Sequence, residues 1–417
     1  MRNHGLFLSL YLPAFLLGTG RGFIAPVLPL IARDQFDASV GAAALIAVMM
    51  PLGAMAVTVP AGYAIDRIGR KSLLVGGPLL SAVIAFQLLR VDSYDVFLVY
   101  IFLDGLARQV WQMSRLAIIA DTGVSDQRGR QITGMSGARR VGTLAGPLAG
   151  GLVAATFGLR SPFVAYAAFS LVAAALTYLT VKESAPAVLE RRARRAGIEP
   201  PPDAVGPARE KWLSRRVMLF FSSYFGANVA RGGTDNNGGS FFVFAAYAFS
   251  AGPVALGALS MANGIASLPM VLAGGQVMDR LGRKRVVLPA MLGIAVGLVL
   301  MATTAAAQLP LWAFVGSFVV VALSQSFMGG SMQTIASDLA PPRSRGQFLG
   351  VSRLVGEGGS LGNPGSFAAI TSLVGGSVGF AAAFAFTAAA ALTTAMIVGL
   401  GLQETLQRES RTREPRL

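Results

Sequence analysis

The chain alternates between long apolar segments and short polar ones. Each apolar segment has roughly 18–30 residues, and a helix of about 20 apolar residues is long enough to cross the hydrocarbon core of a bilayer. The pattern predicts twelve spans, at residues 6–31, 40–65, 72–89, 96–120, 132–157 and 161–181 in the first half and at residues 217–249, 253–278, 286–306, 311–337, 348–373 and 377–401 in the second. Because no small-residue cleavage site follows the first segment, we interpret it as a membrane span and not as a signal peptide.

Two segments of sequence occur twice, about half a chain apart. The decapeptide GYAIDRIGRK at residues 62–71 returns 213 positions later as GQVMDRLGRK at residues 275–284. Internal repeats of membrane helices are the architecture of secondary transporters. A second repeat, in which an aspartate precedes an arginine by seven residues, follows the fourth span of each half at Asp121, Arg128, Asp338 and Arg345.

The repeats divide the chain into two related halves. We predict an all-α membrane protein with twelve transmembrane helices in two pseudo-symmetric six-helix bundles. The expected bundles comprise residues 1–181 and 217–402, with a cytoplasmic linker at residues 182–216 and a cytoplasmic tail at residues 403–417.

Composition and charge placement favour a membrane protein. Hydrophobic residues make up 53% of the 417 residues. Charged residues make up 13%, about half of the ~25% that is typical of soluble domains. The net charge of +15 would suggest nucleic-acid binding in a soluble protein, but only Arg33, Arg90 and Arg160 of the 35 Lys and Arg residues lie in odd-numbered loops. The positive-inside rule then predicts that both termini face the cytoplasm.

Several kinds of chemistry lack the residues that they need. The sequence has no cysteine and a single histidine, His4, which argues against disulfides and zinc sites. It also has no GxxxxGK[ST] phosphate-binding sequence, so ATP is not the expected energy source. We therefore expect a transporter driven by an ion gradient, with no metal, no cofactor and no enzymatic activity.

The repeated decapeptides match a loop signature of the major facilitator superfamily, G-x-x-x-D-R-x-G-R-K/R, and the chain resembles that family over almost its whole length. The resemblance implies a charged gate at the cytoplasmic rim that pairs with the opposite half or a helix N-terminus in one conformation and releases it in another. Charge that only sets topology is the alternative. The predicted gate comprises Gly62, Asp66, Arg67, Gly69, Arg70, Lys71, Asp121 and Arg128 in the first half, and Gly275, Asp279, Arg280, Gly282, Arg283, Lys284, Asp338 and Arg345 in the second.

The fifth span contains GTLAGPLAGG, which resembles the G-x-x-x-G-P-x-x-G-G motif of the family's twelve-span drug:proton antiporters. Small residues four apart let helices approach closely, and proline can bend a helix. The resemblance implies antiport, and ordinary close packing is the alternative. The motif residues are Gly142, Gly146, Pro147, Gly150 and Gly151.

The fourth span departs from the family pattern. The family often has an arginine four residues before the glycine of this span, linked to proton transfer. If Gly105 is that glycine, the position is occupied by Ile101. The usual proton route is therefore not expected here.

Ionisable residues inside the predicted spans are candidates for the transport path, because charges are costly to bury in a membrane. Each of the three acids there has an arginine four positions away, which places both on one helix face. We expect an acid that carries protons to lose its arginine during the cycle, for instance to an anionic substrate; static neutralising pairs are the alternative. The pairs are Asp104–Arg108, Arg231–Asp235 and Arg353–Glu357.

Four further arginines in the spans have no such acid: Arg21, Arg115, Arg139 and Arg140. Arg21 is expected near the middle of the membrane. Arg115 is expected near the cytoplasmic end, where it could reach water or meet Asp121. The surplus of arginine favours an anionic or amphipathic substrate over a cationic drug.

Polar residues in three spans complete the predicted path. The sequence ARGGTDNNGG at residues 230–239, which includes Asp235 and Asn236, is too polar for contact with lipid. We expect it to be buried in protein or to line water, with an extracellular loop or a structural kink as the alternative. Gln112 and Gln325 are lesser candidates, since hydrogen bonding between helices would explain them equally well.

We predict a secondary active transporter that works by alternating access and exports a small organic or amphipathic compound, with an anion as one option, in exchange for protons. A lipid or lysolipid translocator and an anion uptake carrier are alternatives within this class. A non-transporting membrane receptor or scaffold is the alternative outside it. The expected partners are a small-molecule substrate, protons and membrane lipid, without nucleic acid, and the expected form is a monomer in a bacterial inner membrane.

Overall fold

A computed structural model describes residues 7–122, 128–181, 183, 214–231, 239–341 and 345–404. The regular structure in these ranges is helical, and no strand occurs among them. Short π-helical turns lie at Phe7–Tyr11 and Ile397–Gly401. The α-helices are α1 (Leu12–Ile24), α2 (Leu28–Phe36), α3 (Val40–Ile68), α4 (Arg70–Leu88), α5 (Tyr94–Thr122), α6 (Arg128–Phe157), α7 (Ser161–Thr180), α8 (Arg215–Arg231), α9 (Ser240–Ala248), α10 (Pro253–Leu281), α11 (Lys284–Ala306), α12 (Leu311–Phe327), α13 (Ser331–Leu339), α14 (Arg345–Val374) and α15 (Gly376–Met396).

The helices coincide with the predicted spans, although only some meet a strict hydropathy criterion. Within the described ranges, eight helical segments are long and apolar enough to cross a membrane. The other four predicted spans coincide with α5, α6, the α8–α9 pair and α14. These helices carry more charge, are less apolar or are shorter. The all-helical membrane fold is confirmed, and the count of twelve spans stays a prediction.

Two of the predicted spans are broken within the membrane. The first consists of α1 and α2, because Pro26 has no N–H with which to continue the hydrogen-bond ladder, and it runs to Phe36, beyond the predicted end. The tenth consists of α12 and α13, which meet at Gly330 with a φ of 85°. The seventh span contains two helices, α8 and α9, separated by residues 232–238, which lie outside the described residues.

The two halves pack in the same way. In the first half, α1 packs on α6 and α7, α3 packs on α5, and α4 packs on α5 and α7. In the second half, the helices at equivalent positions repeat each of these contacts: α8 packs on α14 and α15, α10 on α12, and α11 on α12 and α15. This shared topology confirms that the bundles are pseudo-symmetric.

The halves meet along two helix pairs, α6 with α10 and α3 with α14. In the first pair, Gly151 contacts Pro253 and Gly257 contacts Pro147, so the helices run antiparallel. The start of α6 therefore lies beside the end of α10, and the two signature turns, at Gly69 and Gly282, share one face. We call this the motif face, and we call the other side of the protein the opposite face.

The tightest packing lies toward the opposite face. The helices α2 and α9, the second parts of the first and seventh spans, are buried along most of their length. Phe244 of α9 packs against Phe314, Phe380 and Phe384, with ring centroids 4.8–5.6 Å apart. Aromatic pairs of this kind add stability beyond the area that they bury. The core therefore closes the opposite face and leaves the motif face less tightly packed.

Candidate functional site

The opposite face is closed by hydrogen bonds between the halves. Tyr247 Oη at the end of α9 donates to the carbonyl oxygen of Ala38 at 2.6 Å. Arg33 Nη1 in α2 donates to the carbonyl oxygen of Ala246. A Cβ on Gly41 would lie 2.8 Å from the carbonyl oxygen of Ala368, so α3 and α14 are in direct contact here.

A cavity of about 690 Å³ lies between the halves. It is lined by Gln112 and Arg139 from the first half and by residues of α8, α12, α13 and α14 from the second. At the motif-face ends of α6, α10 and α14, Gly137, Gly275 and Gly350 have no neighbour within 4 Å of where a Cβ would be. The described close contacts between the halves at Gly41, Gly151 and Gly257 lie toward the opposite face, whereas the three glycines at the motif-face ends have open space beside them.

Arg353 and Glu357 form the predicted ion pair inside this cavity. Arg353 Nε lies 3.9 Å from Glu357 Oε1, and about a third of each side chain is exposed. Each therefore remains accessible to a ligand or a proton in the cavity. The pairing of these two residues is confirmed.

Gln325 joins α12 to α8 through a hydrogen bond. Its Nε2 atom donates to the carbonyl oxygen of Arg231 at 3.3 Å. Arg231 is the last residue of α8, and the last carbonyl groups of a helix lack partners within it. The hydrogen bonding between helices that the sequence left open is thus present, while Gln325 also lines the cavity.

Asp104 does not pair with Arg108 as predicted. Its Oδ1 atom accepts hydrogen bonds from Ser81 Oγ at 2.7 Å and from Tyr166 Oη at 2.8 Å. The carboxyl group is buried, with 1% of the residue exposed. Neutral hydroxyl groups from two other helices satisfy Asp104, which the i,i+4 spacing could not indicate.

Arg21 and Arg108 converge on one thioether. Arg21 Nη2 lies 3.0 Å and Arg108 Nη1 lies 2.5 Å from Met50 Sδ. Together with Arg139 they line a second, small cavity of about 40 Å³ inside the first half. Three spans thus bring guanidinium groups to the interior beside the main cavity.

Arg115 was predicted to reach water or meet Asp121. It does not reach water, since only 5% of the residue is exposed, and the contact with Asp121 stays a prediction because that side chain lies outside the described part of the structure. The guanidinium group of Arg115 lies 4.5 Å from the centroid of the Trp111 ring. Its Nε and Nη1 atoms have no hydrogen-bond partner among the described residues. Among the described residues, Arg139 and Arg353 are like charges that act on it. The Trp111–Arg115 spacing of four residues was the only sequence signal for this arrangement.

The signature turns are built alike in the two halves. Gly69 and Gly282 have φ of 111° and 108°, a region that glycine adopts without strain. After the first turn, the N–H groups of Arg70 and Lys71 donate to the carboxylate of Glu183 at 2.9 and 3.2 Å. A carboxylate at a helix N-terminus satisfies free N–H groups and the helix dipole.

The second half repeats this capping arrangement. The N–H groups of Arg283 and Lys284 donate to Glu404 at 2.9 and 3.1 Å. Sequence reasoning missed both glutamates. Their signal was the pair of tripeptides KES at residues 182–184 and QET at residues 403–405, each following the last span of its half.

The remaining described gate residues contact their own half or are exposed. Arg283 Nε lies 3.1 Å from Asp338 Oδ2, which joins the two repeats of the second half. Arg67 stacks on Tyr63 of its own helix at 4.3 Å. Asp279 and Arg280 are exposed at the end of α10.

The glycine motif of the fifth span mediates the predicted close approach. A Cβ on Gly146 would lie 2.6 Å from the carbonyl oxygen of Thr19 and 2.8 Å from the Cα atom of Gly22. Gly142 and Gly150 meet α1 in the same way, and Gly151 faces α10. Pro147 lies between the two, with its ring beside Gly22 of α1 and its carbonyl oxygen beside Gly257 of α10. The close approach is confirmed, and a role in antiport stays a prediction.

Some predicted site residues lie outside the described part of the protein. Asp235 and Asn236 belong to residues 232–238. The side chains of five further residues also lie outside it: Asp66, Asp121, Arg128, Arg140 and Arg345. Among the described residues, no group of His, Cys, Asp and Glu side chains could hold a metal ion.

A third cavity, of about 210 Å³, lies beside the main one between α6, α10 and α12. It shares Arg231, Gln325 and Gly329 with the main cavity. Val141 and Leu268, both largely exposed, line its outer side. The third cavity therefore extends from the main cavity toward the outer surface of the protein, which lipid would cover in a membrane.

Comparison with known sequences places the chain among transporters. A family model described as Major Facilitator Superfamily matches residues 10–364 and residues 226–416. Multidrug resistance protein 2 of Bacillus subtilis (strain 168) is 25% identical over 285 residues, which cover 68% of this chain and 69% of that protein. Multidrug resistance protein 1 of the same organism is 30% identical over 169 residues, which cover 40% of this chain and 43% of that protein.

Solved structures share the fold at low identity. The crystal structure of a D-xylose–proton symporter matches with a TM-score of 0.75 and 16% identity, over 97% of this chain and 99% of that one. A POT family transporter in complex with a thioalcohol-conjugated peptide matches with a TM-score of 0.76 and 11% identity, over 95% of each chain. Three observations lead to the same assignment: the paired bundles, the cavity between them and the family-model matches along almost the whole chain. The chain belongs to the Major Facilitator Superfamily, and it is a multi-pass membrane protein and a secondary transporter of small molecules rather than an enzyme.

Proposed function

We propose that this transporter moves a small organic compound by alternating access and exports it in exchange for protons. The observation that carries the proposal is the cavity of about 690 Å³ between the halves, together with the contacts that close the opposite face. We take the motif face as the open one. The gate residues of the open face contact only their own half where their partners are described. The names of the relatives, which refer to multidrug resistance, support export.

The open face is proposed to be the cytoplasmic one. Most Lys and Arg residues lie in the loops of the motif face and in the linker and tail, and such loops stay in the cytoplasm. Both termini then lie in the cytoplasm, and substrate enters the cavity from there. We further propose that the protein acts as a monomer in a bacterial inner membrane.

Glu357 is the proposed proton carrier. Among the described residues that line the main cavity, Glu357 is the one with a carboxylate, and its partner Arg353 lines the same wall. Asp104 is the second candidate, but it is sealed from that cavity by Ser81 and Tyr166. A group that exchanges protons must be accessible from one side of the membrane and then from the other. In this conformation Glu357 is accessible from the main cavity.

Uptake of an organic anion together with protons is a second candidate function, favoured by the Arg353–Glu357 pair. Protonation of Glu357 would free Arg353 for an anion, so a proton and an anion would strengthen each other's binding. By linkage, a transporter in which the proton and the anion strengthen each other's binding moves the two in the same direction. Export in exchange for protons requires instead that substrate and proton compete.

Reconstituted vesicles separate these functions. The purified protein is placed in liposomes with an imposed pH gradient, and a panel of small organic cations, neutral compounds and anions is tested for flux. Substrate movement against its own gradient, in the direction opposite to proton flow, supports export. Movement with proton flow supports uptake, and flux that ignores the pH gradient for every compound refutes proton coupling.

A further inference from the structure

We infer that the central cavity binds an organic oxyanion, such as a phosphonate, phosphate or carboxylate, between Arg139 of the first half and Arg353 of the second, with Arg115 behind them. The inference rests on the proposed function only in taking this cavity as the substrate site. It names the class of substrate and the residues that select it.

Positive side chains outnumber acidic ones among the described residues that line the cavity. Arg139, Arg231 and Arg353 line its wall, against Glu357 as the one acidic residue among them. The described lining of the adjoining small cavity adds Arg21 and Arg108, with Asp104 hydrogen-bonded to two of its lining residues, Ser81 and Tyr166. Because charges interact more strongly away from bulk water, a cation entering this space would be repelled and an anion attracted.

Arg115 is the feature that points most directly to a missing ligand. A buried polar group without a hydrogen-bond partner is unfavourable, and a buried charge more so. Two of its guanidinium nitrogens have no hydrogen-bond partner among the described residues, and its guanidinium group lies over the face of Trp111. It lies one turn along α5 from Gln112, which lines the cavity. An oxyanion between Arg139 and Arg353 would relieve the repulsion that both exert on Arg115.

The polarity of the cavity wall narrows the class of ligand further. Beside the arginines, the cavity is lined mainly by amide and hydroxyl side chains, including Asn228, Gln333 and Ser360, and by few apolar groups. A pocket for lipophilic cations would be mostly apolar and aromatic. Arginine and amide groups instead suit a polar anion, since guanidinium donors match the oxygens of phosphate and carboxylate.

The position of the arginines also links binding to movement. Arg139 and Arg353 belong to opposite halves, so their repulsion opposes closure of the motif face. An oxyanion bound between them would replace that repulsion by attraction to both. Substrate binding would therefore favour the closed motif face, which is the step that alternating access requires.

The test is ligand binding to the purified full-length protein, which does not depend on transport. The probes are phenylphosphonate, benzoate and, as a cation of similar size, trimethylphenylammonium, measured by isothermal titration and by the shift of thermal unfolding. Phenylphosphonate is expected to bind and trimethylphenylammonium not to bind. Arg139→Gln and Arg353→Gln are each expected to weaken phenylphosphonate binding by about tenfold or more, the loss expected for a charge-assisted hydrogen bond.

Two further variants control the interpretation. Arg90→Gln removes an exposed arginine on the opposite face and should leave binding unchanged. Arg115→Lys keeps the charge and Arg115→Gln removes it, so only the second should weaken binding strongly. If Arg115→Gln does not fold, the two cavity variants still decide the matter, because about a third of Arg353 and part of Arg139 are exposed to the cavity.

The outcomes separate this inference from the proposed function. Equal or tighter binding of the cation, or binding unaffected by Arg139→Gln and Arg353→Gln, overturns the oxyanion site even where proton-linked flux is present. Anion binding with no pH-dependent flux supports the site and contradicts proton coupling. Displacement of phenylphosphonate by lysophosphatidylglycerol but not by lysophosphatidylcholine would support the site and identify its anion as a lipid headgroup, which the side cavity could admit.

Discussion

The Arg353–Glu357 pair determines how a proton and an anionic substrate affect each other's binding. Replacing Glu357 by Gln removes the negative charge that competes with a bound anion for Arg353. At the observed 3.9 Å the Coulomb attraction would be ~4 kcal/mol at an effective dielectric constant of about 20. Since about a third of each side chain is exposed, screening reduces this to ~1 kcal/mol.

An anion that displaces Glu357 must overcome this ~1 kcal/mol, which corresponds to about fivefold in affinity. Glu357→Gln is therefore expected to bind phenylphosphonate about fivefold more tightly than the unaltered protein at neutral pH. The ratio of the two affinities, which cancels the ionisation of phenylphosphonate itself, should fall toward one as the pH falls and Glu357 becomes protonated. This outcome is the one that the second candidate function, co-transport, requires.

Isothermal titration at neutral and acidic pH measures both effects. A matched control exists in Asp92→Asn, which removes the acid of another arginine pair, with Arg160 at 4.0 Å, in an exposed loop of the opposite face. That variant should behave like the unaltered protein. The reasoning is refuted if Glu357→Gln binds no more tightly at neutral pH, or if the ratio of the two affinities is the same at both pH values. A ratio that rises at acidic pH would instead show competition between proton and anion and favour exchange over co-transport.

Three other features of the structure give separate predictions. Glu183→Gln and Glu404→Gln should each destabilise the protein by about 1–2 kcal/mol through loss of a charged helix cap, seen as lower thermal unfolding temperatures; unchanged values would contradict the capping role. Gly146→Ala should cost about 1–3 kcal/mol by overpacking, while Gly137→Ala, with open space around it, should be neutral or slightly stabilising; equal effects would contradict the close approach. Tyr247→Phe removes a hydrogen bond worth about 1 kcal/mol and should increase labelling, from the opposite face, of a single cysteine introduced between α2 and α3 of this cysteine-free chain; unchanged labelling would show that the bond does not hold this face closed.

The twin turns show how much of the gate could be read from the sequence. The repeated Asp-Arg-x-Gly-Arg-Lys pattern predicted two equivalent turns on one face, and the structure places both there with nearly equal φ at their glycines. Glu183 and Glu404 were not predicted, because each lies more than a hundred residues from the helix that it caps. A contact at that sequence separation depends on which helices pack together, and local patterns do not contain it.

The paired charges illustrate the same limit inside the membrane. Spacing of four residues correctly joined Arg353 to Glu357 but not Asp104 to Arg108, because spacing shows only that two side chains share a helix face. Ser81 and Tyr166, brought by two other helices, were better placed to satisfy Asp104. Likewise, Arg115 was expected near water, and only the packing of the helices around it shows that it is buried.

The sequence by itself determined the membrane fold, the two related halves, the signature turns and the glycines that let α6 approach α1. These follow from length, hydropathy, repetition and side-chain size, which are local properties of the chain. The tertiary structure decided which face is closed, which arginines of the two halves line one cavity, and which carboxylate reaches that cavity. Those outcomes depend on distances between residues far apart in sequence, and such distances exist only once the helices have packed.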